Sequence, residues 1–289
     1  IKTKIRRGGE PMGTAGPLAI ARSHLQDGKG SPFFVFNSDV TCEYPLKEML
    51  AFHNKTKAEA TLLVTKVEDP TKYGVVVFDE KTGAVERFVE KPQVFVGDKI
   101  NAGIYVLSPS VLDRIPMKPT SIEKEVFPLI AAEKKLSAMI LPGFWMDIGQ
   151  PKDFLIGLGL YLKSLRKRKA EMLTDGVEYV GNVLVDPSAS VSPGCKIGPD
   201  VSIGANCIIE EGVRLEKCSI FSGCTVRKHA CITNSLVGWK SQIGAWARVD
   251  GSSVLGEDVQ VKGELVLNGA IVLPHKEVKE SIFTGKIVL

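Results

Sequence analysis

The chain has 289 residues, of which 44% are hydrophobic and 24% charged, and a formal net charge of +4. That length favours two domains, and the composition excludes wholesale disorder. No run of 18 apolar residues occurs, which excludes an ordinary membrane-spanning helix, and so small a charge gives no reason to expect nucleic acid.

The chain opens on Ile1 with no signal-peptide pattern after it, and it reads as a fragment. Pro32–Asn37 is a short apolar run of the kind that forms a buried strand. Pro45 opens a helix-like stretch to His53 with Leu46, Met49 and Leu50 on one face. Ala60–Val67 is a second strand. Tyr73–Phe78 and Val85–Val89 flank the turn Lys81-Thr82-Gly83 and predict a hairpin. Ile100–Leu107 is a further strand, followed by short helices around Val111 and Glu125. Phe144–Ile148 is a short strand, and Pro151 starts a helix to about Lys169. Strands alternating with helices predict an α/β domain with an open, mostly parallel sheet.

The pattern changes from Val185. Val185, Val191, Ile197, Ile203, Ile209, Leu215 and Phe221 recur every six residues. A second run holds Val237, Ile243, Val249, Leu255, Val261, Leu267 and Leu273, offset from the first by four extra residues. A period of six fits neither an α-helix nor a hairpin; it fits a parallel β-helix of hexapeptide repeats, with each sixth side chain pointing inward. About five coils at the ~4.8 Å strand spacing would give a prism roughly 24 Å tall. Hexapeptide proteins as a class imply a left-handed coil. Cys195 and Cys207 fall in small inward slots. The six cysteines form no C-x-x-C pair and no zinc-like cluster with histidine, so reduced, mostly buried thiols of a cytoplasmic protein are expected. The domain boundary is expected near 170, giving domains 1–170 and 171–289. The basic run Lys163–Lys169 there is read as a solvated helix C-terminus before it is read as a phosphate contact.

Four segments carry candidate chemistry. Glu10–Gly16 (EPMGTAG) has two glycines and a proline, a tight loop whose backbone can approach a flat ligand. Asn37-Ser38-Asp39 ends a strand, where ligands of open α/β sheets bind, although Asp39 could equally cap the next helix. Phe88–Pro92 (FVEKP) is followed by Asn101-Ala102-Gly103; a lysine there suits a phosphate, and Glu and Asn suit sugar hydroxyls. Asp147 in Trp145–Gly149 (WMDIG) sits among apolar residues and needs a cation or donor nearby. Asp39 and Asp147 together could share one hard cation such as Mg²⁺, which takes few carboxylates plus substrate phosphates.

These motifs, in this order and followed by a hexapeptide β-helix, resemble the nucleotidyltransferases that make nucleoside-diphosphate sugars. EPMGTAGPLA, INAGIYVLSP, PTSIEKEVFP and GFWMDIGQPKDF are most similar to the eukaryotic mannose-1-phosphate guanylyltransferases of the catalytic beta type, from about Glu10 to near the C-terminus. The resemblance implies a Rossmann-like nucleotidyltransferase domain, truncated at its start, ahead of a left-handed β-helix. It implies that GTP and mannose 1-phosphate give GDP-mannose and pyrophosphate by in-line attack on the α-phosphorus, with Mg²⁺. Pro11 and Gly13 then match the loop near the base, Gly74 the backbone near the sugar, Glu90 and Asn101 the sugar-hydroxyl contacts, and Lys91 the lysine near the sugar phosphate. Asp39 and Asp147 match the metal-binding aspartates, and Asp39, Lys91 and Asp147 the catalytic set. A cytoplasmic homo-oligomer, open to a regulatory alpha-type paralogue, is the implied assembly, with no membrane or nucleic-acid partner.

Three other readings stay open. A related enzyme could use glucose 1-phosphate with ATP, UTP or dTTP, since the fold is shared. A non-catalytic regulatory subunit could bind nucleotide sugar, although retention of Asp39 and Asp147 leans against it. An acyltransferase could use His229, although that residue falls in the register break. Trp239 and Trp246, near the break, are candidates for either an assembly surface or packing on the prism wall.

The family's Gly-rich G-x-G-T-R-L segment, which cradles the triphosphate, has no counterpart here; Arg6-Arg7-Gly8-Gly9 is a poor substitute in the wrong order. The 289-residue chain is therefore expected to form GDP-mannose poorly or not at all. Incubation with GTP, mannose 1-phosphate and Mg²⁺, with nucleotide-sugar chromatography as the readout, checks this; appreciable product refutes it.

Overall fold

A computed structural model describes residues 10–289, and Arg6–Gly9, weighed above as a substitute phosphate loop, lie outside them. The chain divides into two compact units, Ile1–Trp145 and Met146–Leu289. Each is described by itself.

In the first unit the described elements are α1 (Gly16–Leu25), β1 (Phe33–Phe36), β2 (Val40–Cys42), α2 (Leu46–Thr56), β3 (Ala60–Lys66), β4 (Gly74–Phe78), β5 (Val85–Glu90), β6 (Lys99–Leu107), α3 (Phe127–Ala132) and β7 (Leu136–Ile140). β8 (Trp145–Asp147) straddles the division. Six strands form a sheet in the order β5-β4-β6-β3-β7, with β1 also on β6. Residues of β3 and β6 alternate between two cores. Leu62, Val64, Tyr105 and Leu107 join Phe127 and Ile130 of α3 on one face. Leu63, Ile104 and Val106 join Met49 of α2 on the other. Helices thus cover both faces, which is why these strands read as unbroken apolar runs.

The expected mostly parallel sheet needs correction in its pairing, though the α/β class stands. β1, β3 and β7 do point one way, and β3 pairs β7 in parallel. β6 is inserted between β1 and β3 and runs against both, and the hairpin β4–β5 adds further antiparallel pairs. Sequence patterning reports burial, not direction, so a strand buried on both faces looks the same in either sense.

The second unit begins with α4 (Pro151–Arg168), whose last turn carries Arg166, Lys167 and Arg168, cations that suit the negative end of the helix dipole. Arg166 is not free: it reaches Asn182 Oδ1 (3.2 Å), the Gly181 carbonyl (3.1 Å) and Asp175 (3.0 Å). Leu162, Leu165 and Leu173 form the buried contact beneath the helix. Beyond it the chain winds into a parallel β-helix with sheets of six, five and seven strands, about six turns where the period suggested five.

The inward column corrects the repeat reading. Ile203 stacks on Ile220, Val237, Leu255 and Val272, so Ile220 and Val272 point inward, not Phe221 and Leu273. No single four-residue offset exists. The inward spacing drops from six residues to five at 215 to 220, 232 to 237 and 267 to 272. Each dropped residue shortens a coil from 18 to 17, as Val183↔Val201 and Val201↔Cys218 show. Phe221, displaced outward, packs on Phe154 (centroids 6.1 Å) and Trp239 (4.7 Å). The small inward slots are buried as expected, and their polar atoms are used. Cys207 and Cys224 thiols donate to the Phe221 and Gly238 carbonyls (3.1 and 3.0 Å), and the Ser241 hydroxyl to Gly256 (3.0 Å). A small slot with an S–H or O–H thus satisfies a corner carbonyl of the next coil. All six cysteines are unpaired, and all but Cys231 are buried.

The corrected register predicts that Ile220→Ala costs about 2–5 kcal/mol, because it opens a cavity in a close-packed column. Leu273→Ala, on an exposed corner, should cost under about 1 kcal/mol. Urea unfolding of the two variants discriminates; equal losses would restore the simple hexad register.

Candidate active site

The candidate polar residues of the first unit lie on β6, at the ends of β1, β4 and β5, and in the loop before α1. β6 carries a bulge: Leu62 pairs Tyr105 but Val64 pairs Asn101, so two residues of β3 are matched by four of β6, two of them extra. Gly103 sits in it with φ +75, and a Cβ there would lie 2.8 Å from Asn37 Nδ2. Only glycine fits both the conformation and the space. The bulge turns three groups toward one another. The Gly103 amide donates to Asn101 Oδ1 (3.0 Å), Asn101 Nδ2 donates to the Tyr105 hydroxyl (2.9 Å), and the Asn37 amide donates to the Gly103 carbonyl (2.8 Å). The NSD strand end and the NAG segment are therefore one structure. Asp39 follows as an exposed turn residue that accepts no hydrogen bond among the described residues.

Gly74 opens β4 opposite Glu90, the last residue of β5. A Cβ on Gly74 would lie 2.7 Å from Glu90 Oε2, so the missing side chain makes room for that carboxylate. Lys91 leaves the strand with φ +46, its amide held by the Tyr73 carbonyl (3.1 Å), and its side chain is exposed. Tyr73 meets Trp145 edge-on at 5.5 Å, and Trp145 Nε1 donates to the Ala102 carbonyl (2.9 Å). These contacts tie Trp145 and the backbone at Lys91 to the β6 bulge.

Burial raises the Glu90 pKa above the ordinary carboxylate value, the Glu123 carboxylate raises it further, and Lys91 and Lys124 oppose both. Burial likewise pushes the Tyr105 hydroxyl up, with Glu123 the next cause. Glu123, Tyr105 and Thr14 were not singled out from sequence. Glu123 lies inside a charged run, EKE, that reads as a solvated face, and Tyr105 inside an apolar strand; only their contacts set them apart.

The loop holding Pro11 and Gly13 is clamped to Thr120. The Thr120 amide donates to the Met12 carbonyl (3.0 Å), and the Ala15 amide donates to the Thr120 carbonyl (2.9 Å). Gly13 has φ +69, and a Cβ there would lie 2.5 Å from the Thr120 oxygen. Pro11 is exposed beside it. Asp147 belongs to the second unit, half-buried, with Oδ1 accepting from the Gly149 amide (3.0 Å). Among the described residues no three His, Cys, Asp or Glu side chains cluster to hold a metal. Asp39 in the first unit and Asp147 in the second each offer carboxylate oxygens, the donor type that hard divalent cations take. His229 is an exposed corner residue of the β-helix with φ +58, its ring 4.4 Å from that of Trp246. Trp239 and Trp246 are themselves exposed, at 52% and 63%.

A helix-covered sheet with polar residues at its strand ends, joined to a hexapeptide β-helix, defines a nucleotidyltransferase architecture. The family model described as "Nucleotidyl transferase" matches residues 1–163, and that for the "GMPPB C-terminal domain" matches residues 179–288. The chain is 61% identical over 280 residues to "Probable mannose-1-phosphate guanylyltransferase 3" of Oryza sativa subsp. japonica, covering 97% of this chain and 78% of that protein. It is 59% identical to "Mannose-1-phosphate guanylyltransferase 1" of Arabidopsis thaliana and 53% identical to the "catalytic subunit beta" of the Danio rerio enzyme, each over all of this chain and 80% of the relative. The chain belongs to the mannose-1-phosphate guanylyltransferase family.

A carboxylate with a raised pKa in the folded state destabilises the fold at neutral pH. The folded state binds the proton more tightly, so stability falls as pH rises from the ordinary carboxylate value through the raised one. Glu90→Gln should therefore melt higher than the unsubstituted chain at pH 7, with the gap closing below the ordinary carboxylate range. Calorimetric melting against pH checks the sign; a lower melting point at pH 7 would refute it.

Proposed function

We propose that this chain carries residues for the formation of GDP-mannose and pyrophosphate from GTP and mannose 1-phosphate, with turnover by the 289 residues alone expected to be poor. The observation that carries this is 61% identity, over nearly the whole chain, to a protein named for that activity, with the candidate polar residues inside the stretch 1–163 that the nucleotidyl transferase family model matches. The Pro11–Gly13 loop, held flat against Thr120, receives the base. Gly74, Glu90 and Asn101 receive the sugar: a carboxylate and an amide oxygen accept from hydroxyls, and the Asn101 amide is already aimed by Gly103 and Tyr105. Lys91 neutralises the sugar phosphate as a point charge, which lets its oxygen approach the α-phosphorus of GTP against like charge. No covalent intermediate is needed; holding nucleophile and phosphorus in line supplies much of the acceleration.

Asp39 and Asp147 would hold a divalent cation, which we read as Mg²⁺. When bound, it neutralises charge developing on the phosphate oxygens. We further read the protein as a cytoplasmic homo-oligomer able to join a regulatory alpha-type paralogue. Among the described residues no helix is long and apolar enough to cross a membrane.

Ligand-induced stabilisation tests the substrate assignment without requiring turnover. With Mg²⁺, GDP-mannose at about 100 times its Kd should stabilise the chain by about 2.7 kcal/mol, and ADP-glucose, UDP-glucose and dTDP-glucose at the same concentration by far less. Asp39→Asn or Asp147→Asn should remove the Mg²⁺-dependent part. Thermal denaturation across this panel is the measurement, and a larger shift with another nucleotide sugar would overturn the guanosine and mannose assignment.

A further inference from the structure

In the second unit a groove of about 890 Å³ runs between α4, the segment 171–174 and the outer face of the first coils of the β-helix. Four paired strands present Leu184, Ser202, Ser219 and Leu236 outward in register, so two hydroxyls stand between two apolar side chains. Ser202 Oγ and Ser219 Oγ lie 2.7 Å apart, and both residues line the groove. That bond uses one of two hydroxyl protons. The other has no acceptor among the described residues, although Ser219 is only 3% exposed. A buried donor left unmet costs free energy, so the pair calls for an acceptor in the groove.

At the corner that follows those strands, the equivalent residues of successive coils are Asp186, Gly204, Phe221 and Gly238. With coils about 4.8 Å apart, the missing side chain of Gly204 leaves a notch about 10 Å wide between the acid and the aromatic ring. Asp186 Oδ1 accepts from the Ser188 amide and hydroxyl (2.9 and 2.6 Å), while Oδ2 accepts from nothing among the described residues. Phe221 rests on Trp239 at 4.7 Å, too close to admit a ring between them, and Trp239 is 52% exposed. The pair thus offers one open aromatic face. Among the described residues no lysine or arginine lines the groove, and its charged groups are the carboxylates of Asp186 and Glu171. Like charge there opposes nucleotides and sugar phosphates. An uncharged pyranose meets what remains: one hydroxyl oxygen accepts the spare serine proton, another hydroxyl donates to Asp186 Oδ2, and the C–H face of the ring lies on the aromatic pair.

We infer that this groove, built entirely of second-unit residues, is a binding site for an uncharged saccharide. It stands whether or not the substrate assignment above holds. Saturation-transfer NMR on the full chain, with methyl α-D-mannopyranoside, methyl β-D-glucopyranoside and maltose as probes and tetramethylammonium as the contrasting class, is the test. At least one of the three saccharides should bind saturably. Asp186→Asn, which keeps the Oδ1 bonds to Ser188, should weaken that binding about tenfold or more, as loss of a charge-assisted hydrogen bond does. Trp239→Ala, at a half-exposed position, should weaken it by a similar factor. Both variants should melt with the unsubstituted chain, so that the loss reports on the groove and not on the fold, and the result does not hang on one of them. Glu90→Gln, in the first unit, should leave the binding unchanged. The inference is overturned if none of the three saccharides binds, or if either groove variant binds as tightly as the unsubstituted chain. Binding lost in Glu90→Gln, which would put the saccharide in the first unit, overturns it too. So does tighter binding of tetramethylammonium, which would make the two acids partners of an organic cation.

Discussion

Strand β6 runs against both of its long neighbours and breaks its own register at Gly103, and the first unit is organised by that break. β1, β3 and β4 all hydrogen-bond to β6. A regular strand would have alternated Asn101, Gly103 and Tyr105 onto one face with no bonds among them. The bulge instead lets the Asn101 side chain take the Gly103 amide and offer its own amide to Tyr105, while the Gly103 carbonyl is released to Asn37. Segments more than sixty residues apart in sequence are fixed to each other by one left-handed glycine. Any side chain at 103 would meet that of Asn37 before it met anything else.

Much of this was legible in the sequence because burial leaves a periodic trace. The strands over 33–36, 60–66, 74–78, 85–90 and 99–107 all sit where apolar runs or a turn signal placed them. α1 was missed because GPLAIARSHL follows directly on a glycine-rich loop and has no side-chain cap at its start. β7 was missed because Leu136–Ile140 holds small residues, Ser137 and Ala138, where a strand usually advertises itself with branched ones. The β-helix was legible as a period, but its exact phase was not. At two of the five-residue steps the next residue is also apolar, and Phe221 beside Ile220, or Leu273 beside Val272, continues the count as well as the residue that is buried.

Corner geometry supplies what the period cannot. Residues at β-helix corners adopt φ near +60 whatever their identity: Asn206 at 56, His229 at 58, Trp246 at 61 and His275 at 62. Such values are uncommon for bulky residues and carry a local cost. The two strands that each corner joins, each paired in parallel with its neighbours in its own sheet, over-determine it. His229 and Trp246 stand at such corners, and their ring contact follows from two coils stacking in register. A histidine among hexapeptide repeats is therefore first of all a corner residue, and chemistry has to be argued from its neighbours.

The acids around the β6 bulge follow the opposite logic. Glu123 repels Glu90 as a like charge, and Lys91 and Lys124 oppose that repulsion while, among the described residues, forming an ion pair with neither acid. An acid closed into an ion pair has spent its lone pairs on a cation. One held near a second acid, with a glycine opposite it at position 74, keeps an acceptor open for a hydroxyl. Glu123 reaches the same end differently: one oxygen is saturated by Thr14 and Ser121, which leaves the other as the acceptor that can still be offered. The repulsion thus leaves Glu90 without a cation of its own, and the loop hydroxyl at Thr14 decides where the second acid points.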